Sequence, residues 1–359
     1  MRNHINRITF CFVMACAFAA FASSAPCADM VRYVNKDKET GEYEEGTRSG
    51  TINAFTRDGV EFIYDVKGEK KTVLLDSEQI VWLQFESEPL DLGAARVEIQ
   101  VGAYEEALNK IDAIEEGDVK TDMIAEEIEW NRVYAAIQLA LAGAGDLKNA
   151  SDMVQKFVEV APEHYRRYEA FELLGDAAME LGDWDGAAKF YAELDAAKSE
   201  SMKAVGKVGL GRAALAKGEL DQARELFTAV AEADTLDARL EGLGARTTAT
   251  IGLAETLAQQ KDYDAALQTL EALLAATPNS ATLQQAVVYN ALGGVYAAAG
   301  RAEEAIIAYL HVDLLYPAAR AERVKALKAL APLWNKVGRQ DRARETRLFL
   351  RERFNVDWE

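Results

Sequence analysis

A short turn motif recurs seven times along this chain of 359 residues, and it constrains the fold more than any other feature. Each copy approximates Gly-x-(aromatic or Leu)-x-x-Ala, and Lys261 replaces the glycine in the fifth copy. The motif alanines follow one another at intervals of 43, 37, 36, 43, 39 and 38 residues and are Ala107, Ala150, Ala187, Ala223, Ala266, Ala305 and Ala343. A period of about 40 residues, with apolar residues recurring at three and four, indicates a solenoid of stacked helical hairpins.

A second motif lies upstream of several turns and contains a Leu-Gly pair, and an aromatic residue follows the turn alanine by four positions. The clearest copies are Leu174-Gly175 with Tyr191, Leu210-Gly211 with Phe227, and Leu292-Gly293 with Tyr309. Small residues let two helices approach closely, and the rings fill the wider gaps. With these motifs, residues 88–357 resemble the tetratricopeptide repeat family. The resemblance implies a mostly α fold of about seven hairpins, whose first helices line a concave groove for a protein or peptide segment.

The chain before the repeats is rich in β-branched and aromatic residues, which predicts a small β domain over residues 29–87. Turns are expected at Asp58-Gly59 and 67–70, a loop at 36–50, and strands at 30–34, 51–56, 60–65, 72–75 and 80–85. The pattern Gly50-x-Ile52 … Val60-x-Phe62 resembles a small SH3-like or Sm-like barrel. A plain antiparallel sheet packed on the first helices is the alternative.

The first 28 residues have the composition of a secretory signal peptide. Arg2 and Arg7 precede an uncharged apolar run from Ile8 to Ala22, and small residues follow that run. The run is shorter than the roughly 20 residues that a membrane-spanning helix needs. An uncleaved anchor and a lipidated cysteine are the alternatives. We therefore expect an exported protein, located in the periplasm or associated with the cell envelope.

Composition limits the chemistry that the chain can perform. Its three His and three Cys are too few, once a signal peptide is removed, for a Cys/His zinc site, a haem or an iron–sulfur cluster. The net charge of −19 disfavours binding to nucleic acid. No nucleophile, Walker or zinc-protease motif is present, so no catalytic residue, metal or cofactor is expected. We expect His164 and His311 at the surface or in the groove, and Glu126-Glu127 in solvent.

The resemblance assigns the concave face to the first helix of each repeat. Transferred residue by residue, it gives eight candidate partner contacts, which are Glu169, Glu172, Asp176, Arg212, Glu255, Asn290, Lys325 and Lys328. Val205, Val208 and Thr248 are expected on the same face. This face is acidic near the third repeat and lacks the Lys/Asn/Arg clamp of the family members that bind chaperone tails. A solvated inner wall that holds no partner is the alternative.

These features favour an exported, non-catalytic scaffold for protein–protein interaction in cell-envelope assembly. One alternative is a structural protein that self-assembles or associates peripherally with the envelope, because residues 320–359 carry eleven Lys+Arg against six Asp+Glu while the remainder is acidic. A second alternative is an enzymatic β domain. Its acidic candidates would be Asp58, Asp65, Asp76 and Glu78, but nothing in the sequence pairs them with a nucleophile.

Overall fold

The computed structural model describes residues 28–36, 43–233, 244–354 and 356, so the predicted signal peptide lies outside the described residues except for Ala28. The strands are β1 (Asp29–Lys36), β2 (Tyr43–Thr56), β3 (Gly59–Val66), β4 (Glu69–Asp76) and β5 (Ile80–Gln84). The α-helices of the described part are α1 (Leu90–Gln100), α2 (Tyr104–Asp112), α3 (Asp122–Leu141), α4 (Leu147–Val160), α5 (Arg167–Glu180), α6 (Trp184–Ala192), α7 (Glu200–Lys217), α8 (Leu220–Ala231), α9 (Ala245–Gln259), α10 (Tyr263–Ala276), α11 (Thr282–Ala298), α12 (Ala302–Leu315), α13 (Arg320–Lys336) and α14 (Gln340–Phe354). None of these helices has the length and apolar composition required to cross a bilayer.

The five strands form one antiparallel sheet in the order β4-β3-β2-β1-β5. The long strand β2 pairs with β1 through its first half and with β3 through its second half. The prediction of a loop over 36–50 is therefore wrong for Lys36, the last residue of β1, and for residues 43–50 of β2. Their side chains, such as Glu45 and Thr47, are exposed, and it is backbone hydrogen bonding to β1 that makes them a strand. The SH3-like or Sm-like assignment stays a prediction.

The inner face of the sheet and the first helices share one hydrophobic core. Val31, Phe62 and Leu83 of the sheet are at most 1% exposed, and they belong to the same cluster as Leu92 of α1 and Ile124 of α3. The predicted boundary at residue 88 therefore separates strands from helices along the chain, while the apolar interior is continuous across it.

The fourteen helices form seven consecutive hairpins, from α1–α2 to α13–α14. Each first helix also contacts the first helix of the next hairpin, as α5 contacts α7 and α7 contacts α9. Among the described residues, successive second helices make at most weak contacts with one another. The first helices therefore form the inner layer of the solenoid, and the second helices form the outer layer.

The turns within the hairpins share one backbone conformation. A residue one or two positions past the end of the first helix has a positive φ in every hairpin, and these residues are Gly102 (77°), Gly143 (88°), Gly182 (75°), Gly218 (78°), Lys261 (65°), Gly300 (78°) and Gly338 (79°). The next backbone N–H donates back into the helix, as Glu219 does to Ala214 at 2.9 Å, which is a Schellman closure. In the second hairpin this residue is Gly143 rather than the aligned Gly145.

The Leu-Gly pairs lie where a helix crosses the aromatic ring of its partner. A Cβ added to Gly175 would lie 2.5 Å from the Tyr191 ring, and one added to Gly211 would lie 2.7 Å from the Phe227 ring. The motif alanines are all at most 3% exposed. The steric reason inferred for the repeat pattern is therefore confirmed.

Candidate functional site

The eight candidate contacts all lie on first helices. They are Glu169, Glu172 and Asp176 on α5, Arg212 on α7, Glu255 on α9, Asn290 on α11, and Lys325 and Lys328 on α13. The structure brings Glu172, Asp176 and Arg212 together at one pocket. Glu169 lies one turn before this pocket and forms a 2.8 Å ion pair with Arg166.

The pocket opens on the inner layer between α5, α7 and α9 and has a volume of about 120 Å³. It is lined by Glu172, Asp176, Tyr191, Val205, Val208, Gly209, Arg212, Ala245 and Thr248. Besides the three candidates, Val205, Val208 and Thr248 are also residues that the sequence placed on the concave face. The pocket thus joins an apolar wall from α7 and α9 to a polar rim from α5 and Arg212.

A hydrogen-bonded triad orders the polar rim. The Oδ1 atom of Asp176 accepts from the Tyr191 hydroxyl and from Nη1 of Arg212, both at 2.7 Å. Burial alone would lower the pKa of Arg212, because it disfavours the charged form. The interactions with Tyr191 and Asp176 outweigh this effect, so the pKa of Arg212 is raised. Burial, reinforced by Asp176, raises the pKa of Tyr191 well above its usual range. At neutral pH the Arg212 guanidinium is therefore charged and the Tyr191 phenol is neutral.

The remaining candidates differ in how accessible they are. Asn290 is 3% exposed, and its Nδ2 donates to the backbone oxygen of Glu322 at 3.0 Å. It therefore belongs to the packing between α11 and α13 and not to an open surface. Glu255 is exposed on the inner layer, where partial desolvation raises its pKa while Lys325 and Arg212 act in the opposite direction. The inner layer thus changes from acidic at α5 to basic at α13.

A buried charged cluster, which the sequence analysis missed, links the end of the sheet to the first two hairpins and to the connection between α4 and α5. Arg96 of α1 donates to Glu88 at 2.9 Å and to Glu127 at 3.0 Å, and the Tyr165 hydroxyl donates to Glu127 at 2.8 Å. Burial opposes ionisation of Glu127, but His164 and Arg96 hold its pKa far below the usual range.

The positions expected for two of these residues are therefore wrong. Glu127 is 2% exposed rather than solvated, and His164 is 1% exposed rather than at the surface or in the groove. The Nε2 atom of His164 lies 3.4 Å from Oε1 of Glu127, and its Nδ1 accepts the backbone N–H of Arg166 at 3.2 Å. Glu127 and His164 therefore contribute to the packing between α3 and the connection that precedes α5, and not to an open surface.

Two acidic residues of the β domain attach the sheet to the solenoid, whereas Asp65 accepts the backbone N–H of Gly68 within its own turn at 2.8 Å. Asp58 pairs with Lys198 at 2.7 Å, and Glu78 accepts from the Ser199 hydroxyl at 2.6 Å. Together with Asp76 they line a cleft of about 230 Å³ against the connection between α6 and α7. Within the described ranges, no three His, Cys, Asp or Glu side chains are grouped so that they could hold a metal ion.

Comparison with known proteins identifies the repeats. Residues 136–201 and 208–281 match the tetratricopeptide repeat family model. No curated protein matches the chain. A Rap protein complexed with competence and sporulation factor is similar in structure, with 17% identity, a TM-score of 0.51, and coverage of 72% of this chain and 73% of that chain. A tetratricopeptide repeat protein from Parabacteroides merdae has 13% identity, a TM-score of 0.51, and coverage of 71% and 89%. Residues 136–201 and 208–281 are therefore tetratricopeptide repeats, and the fold of the helical part is a solenoid of tetratricopeptide-like helical hairpins.

Proposed function

We propose that the protein is an exported scaffold that holds an extended segment of a partner protein in its concave groove during cell-envelope assembly. The observation that supports groove binding is the pocket at Glu172, Asp176 and Arg212, where an apolar wall meets oriented charges on the inner layer. The Rap protein of similar fold is complexed with competence and sporulation factor, an example of such a solenoid with a bound partner. Export rests on the composition of residues 1–28.

In-cell crosslinking tests groove binding directly. The tagged full-length protein is compared with Glu172→Lys, which reverses a charge at the pocket, and with Glu225→Lys, which makes the same change on an exposed position of α8. We expect a partner that is captured by the wild type and by Glu225→Lys but lost with Glu172→Lys. Equal capture by all three proteins would place the interaction outside the groove.

Export is tested separately from groove binding. The mature protein is recovered from fractionated cells, and its first residue is determined by N-terminal sequencing. We expect it in the periplasmic or envelope fraction with the first 24 to 28 residues removed. Recovery of the uncleaved chain from the cytoplasm would contradict export without affecting the proposal for the groove.

Self-assembly is a second candidate, favoured by the surface of the last hairpin. Arg344 and Arg351 of α14 are exposed, and so are Leu348 (44%) and Phe349 (38%). A basic surface with exposed apolar residues could dock on the acidic body of a second copy. Sedimentation velocity over a range of salt would detect an oligomer that dissociates as ionic strength rises. A monomer at every concentration and salt level would exclude this candidate.

A further inference from the structure

We propose that α14 of one copy docks on α1 of a second copy, an inference that rests on self-assembly, the second candidate function, and names its two surfaces. The partner is another copy of this chain, and the surfaces belong to its first and last hairpins. The α1 stripe consists of Leu90, Ala94, Val97 and Val101. The α14 face consists of Arg344, Leu348, Phe349 and Arg351.

Large hydrophobic side chains are exposed mainly at the two ends of the helical array. Three of them lie on the α1 stripe, and five lie on the second helices α12 and α14 of the last two hairpins. In the described part of the chain, helices α5 to α10 expose none. A single exposed hydrophobic side chain is ordinary at a protein surface, whereas several on one helix indicate a contact with a partner.

The α1 stripe lies on one side of its helix, because its residues recur at intervals of four, three and four. Leu90, Val97 and Val101 are 94%, 58% and 72% exposed. Leu92 and Ala95 lie on the opposite side and are buried in the core shared with the sheet. Since a helix that is apolar on both sides is typical of one that is covered on both sides, the stripe has the character of an interface.

The two terminal hairpins carry opposite charge. Residues 90–112 hold five Asp and Glu against two Lys and Arg, whereas residues 320–354 hold four Asp and Glu against eleven Lys and Arg. One of the two bases of the first hairpin, Arg96, is buried in ion pairs with Glu88 and Glu127. Docking of α14 on α1 therefore joins opposite charges, while docking of α14 on a second α14 would join like charges.

The charges beside the two apolar surfaces also match in spacing. Asp91 and Glu98 flank the α1 stripe on one side, and Arg344 and Arg351 belong to the α14 face. The members of each pair are seven residues apart, which is close to two turns and about 10.5 Å of rise along a helix. Two helices that lie side by side can therefore bring both pairs together at once, with Leu348 against the middle of the stripe.

The orientation of the two helices follows from their flanks. Glu345 and Glu352 lie on the side of Leu348 opposite to the two arginines of the α14 face. In a parallel pair the carboxylates of α1 meet those arginines, and Glu345 and Glu352 meet the side of α1 that carries Gln100. In an antiparallel pair the carboxylates of both helices would meet one another. Charge therefore favours the parallel arrangement.

These charged groups are available to a partner. Within the described residues, Glu98, Arg344 and Arg351 take part in no ion pair. Asp91 lies 4.0 Å from Lys110, and both side chains are more than 40% exposed. An exposed pair of this kind contributes little to stability, so Asp91 can exchange Lys110 for an arginine of the second copy at little cost.

A mixing experiment tests the proposal, because a contact between two different surfaces allows two defective variants to complement each other. Val97→Arg disrupts the α1 stripe, Leu348→Glu disrupts the α14 face, and each variant keeps the other surface intact. In sedimentation velocity we expect the wild type to form oligomers, each variant alone to be monomeric, and an equimolar mixture to form a complex of two chains. Val160→Arg makes the matched change at an exposed valine of α4 and should assemble as the wild type does. Circular dichroism confirms that each variant is folded.

A charge exchange then tests the pairing itself. Glu98→Arg should weaken association roughly tenfold, because attraction to an arginine becomes repulsion, and adding Arg351→Glu in the same chain should restore it. An oligomer that Val97→Arg leaves intact, or a mixture of the two variants that stays monomeric, would overturn this inference and leave self-assembly standing. A wild type that is monomeric at every protein and salt concentration would overturn both, without affecting the proposal for the groove.

Discussion

The fifth hairpin contains a backbone conformation that its residue does not favour. Lys261 has φ 65° at the turn where six other hairpins place a glycine, and its N–H donates to Ala258 at 3.0 Å while Asp262 donates to Leu257 at 2.9 Å. The closure is therefore the same as in the glycine turns, and only the Cβ differs. We expect Lys261→Gly to stabilise the protein because it removes this strain without removing a closing hydrogen bond.

The magnitude follows from two opposing terms. A residue with a Cβ destabilises the folded state by roughly 1–2 kcal/mol in the left-handed region, and glycine removes this strain. Glycine also loses more conformational entropy on folding, which offsets roughly 0.5–1 kcal/mol of the gain. The Lys261 side chain is exposed, so little packing is lost. The free energy of unfolding should rise by about 0.5–1 kcal/mol, which is about 1–2 °C in the midpoint for a chain of this size.

Urea denaturation measures the change in the free energy of unfolding of the whole protein. Hydrogen exchange of the amides in α9 and α10 measures the change within the fifth hairpin, where we expect the effect to be largest because each repeat interacts mainly with its neighbours. Lys261→Ala is the decisive control, since it removes the charge and the long side chain but keeps the Cβ. Gly218→Lys makes the reverse change at φ 78° and should destabilise by a similar amount. If Lys261→Ala stabilises as much as Lys261→Gly, the reasoning from backbone strain is refuted.

Three further predictions concern packing and buried charge. Gly209→Ala would place a Cβ 2.2 Å from the Tyr191 ring and should destabilise by about 1–3 kcal/mol in urea, whereas Gly117→Ala, which meets nothing within 4 Å, should have little effect. Glu127→Gln removes the carboxylate that pairs with the buried guanidinium of Arg96. The free energy of unfolding should therefore fall by about 3 kcal/mol at neutral pH. Because the folded pKa of Glu127 lies below its ordinary value of 4.5, its stabilising effect is complete above that pH and lost as the pH falls further. The difference between wild type and Glu127→Gln should therefore narrow in acid, and a difference that stays constant down to about pH 3 would contradict the assignment.

The features that the sequence predicted well are those with a local steric cause. A positive φ demands glycine, and a close helix crossing demands a small residue opposite a ring, so the turn and Leu-Gly motifs identified the hairpins directly. The position of a residue within a repeat placed Glu172, Asp176 and Arg212 on first helices, where they line one pocket, but it did not reveal that Asn290 is buried between α11 and α13. The first half of β2 was missed because its residues are polar and exposed, and only backbone pairing with the preceding strand β1 makes it extended.

Glu127 shows where local reasoning fails. Helical spacing places it on the same stripe of α3 as Ile124 and Asn131, which are buried, whereas its charge alone predicted exposure. The outcome was decided by Arg96 and Tyr165, which lie 31 and 38 residues away and meet Glu127 only in the folded chain.

The contacts of this buried cluster help to explain how the first end of the solenoid is covered. The first hairpin of a solenoid has no preceding repeat to cover it, and here the sheet supplies the cover through a shared core. The buried ion pairs fix the sheet at that junction, where Glu88, just after β5, is bound by Arg96 of α1. The last hairpin instead presents arginines together with Leu348 and Phe349 to solvent. The two ends are therefore built differently: the sheet covers the first, and α14 gives the second a basic surface with exposed apolar residues.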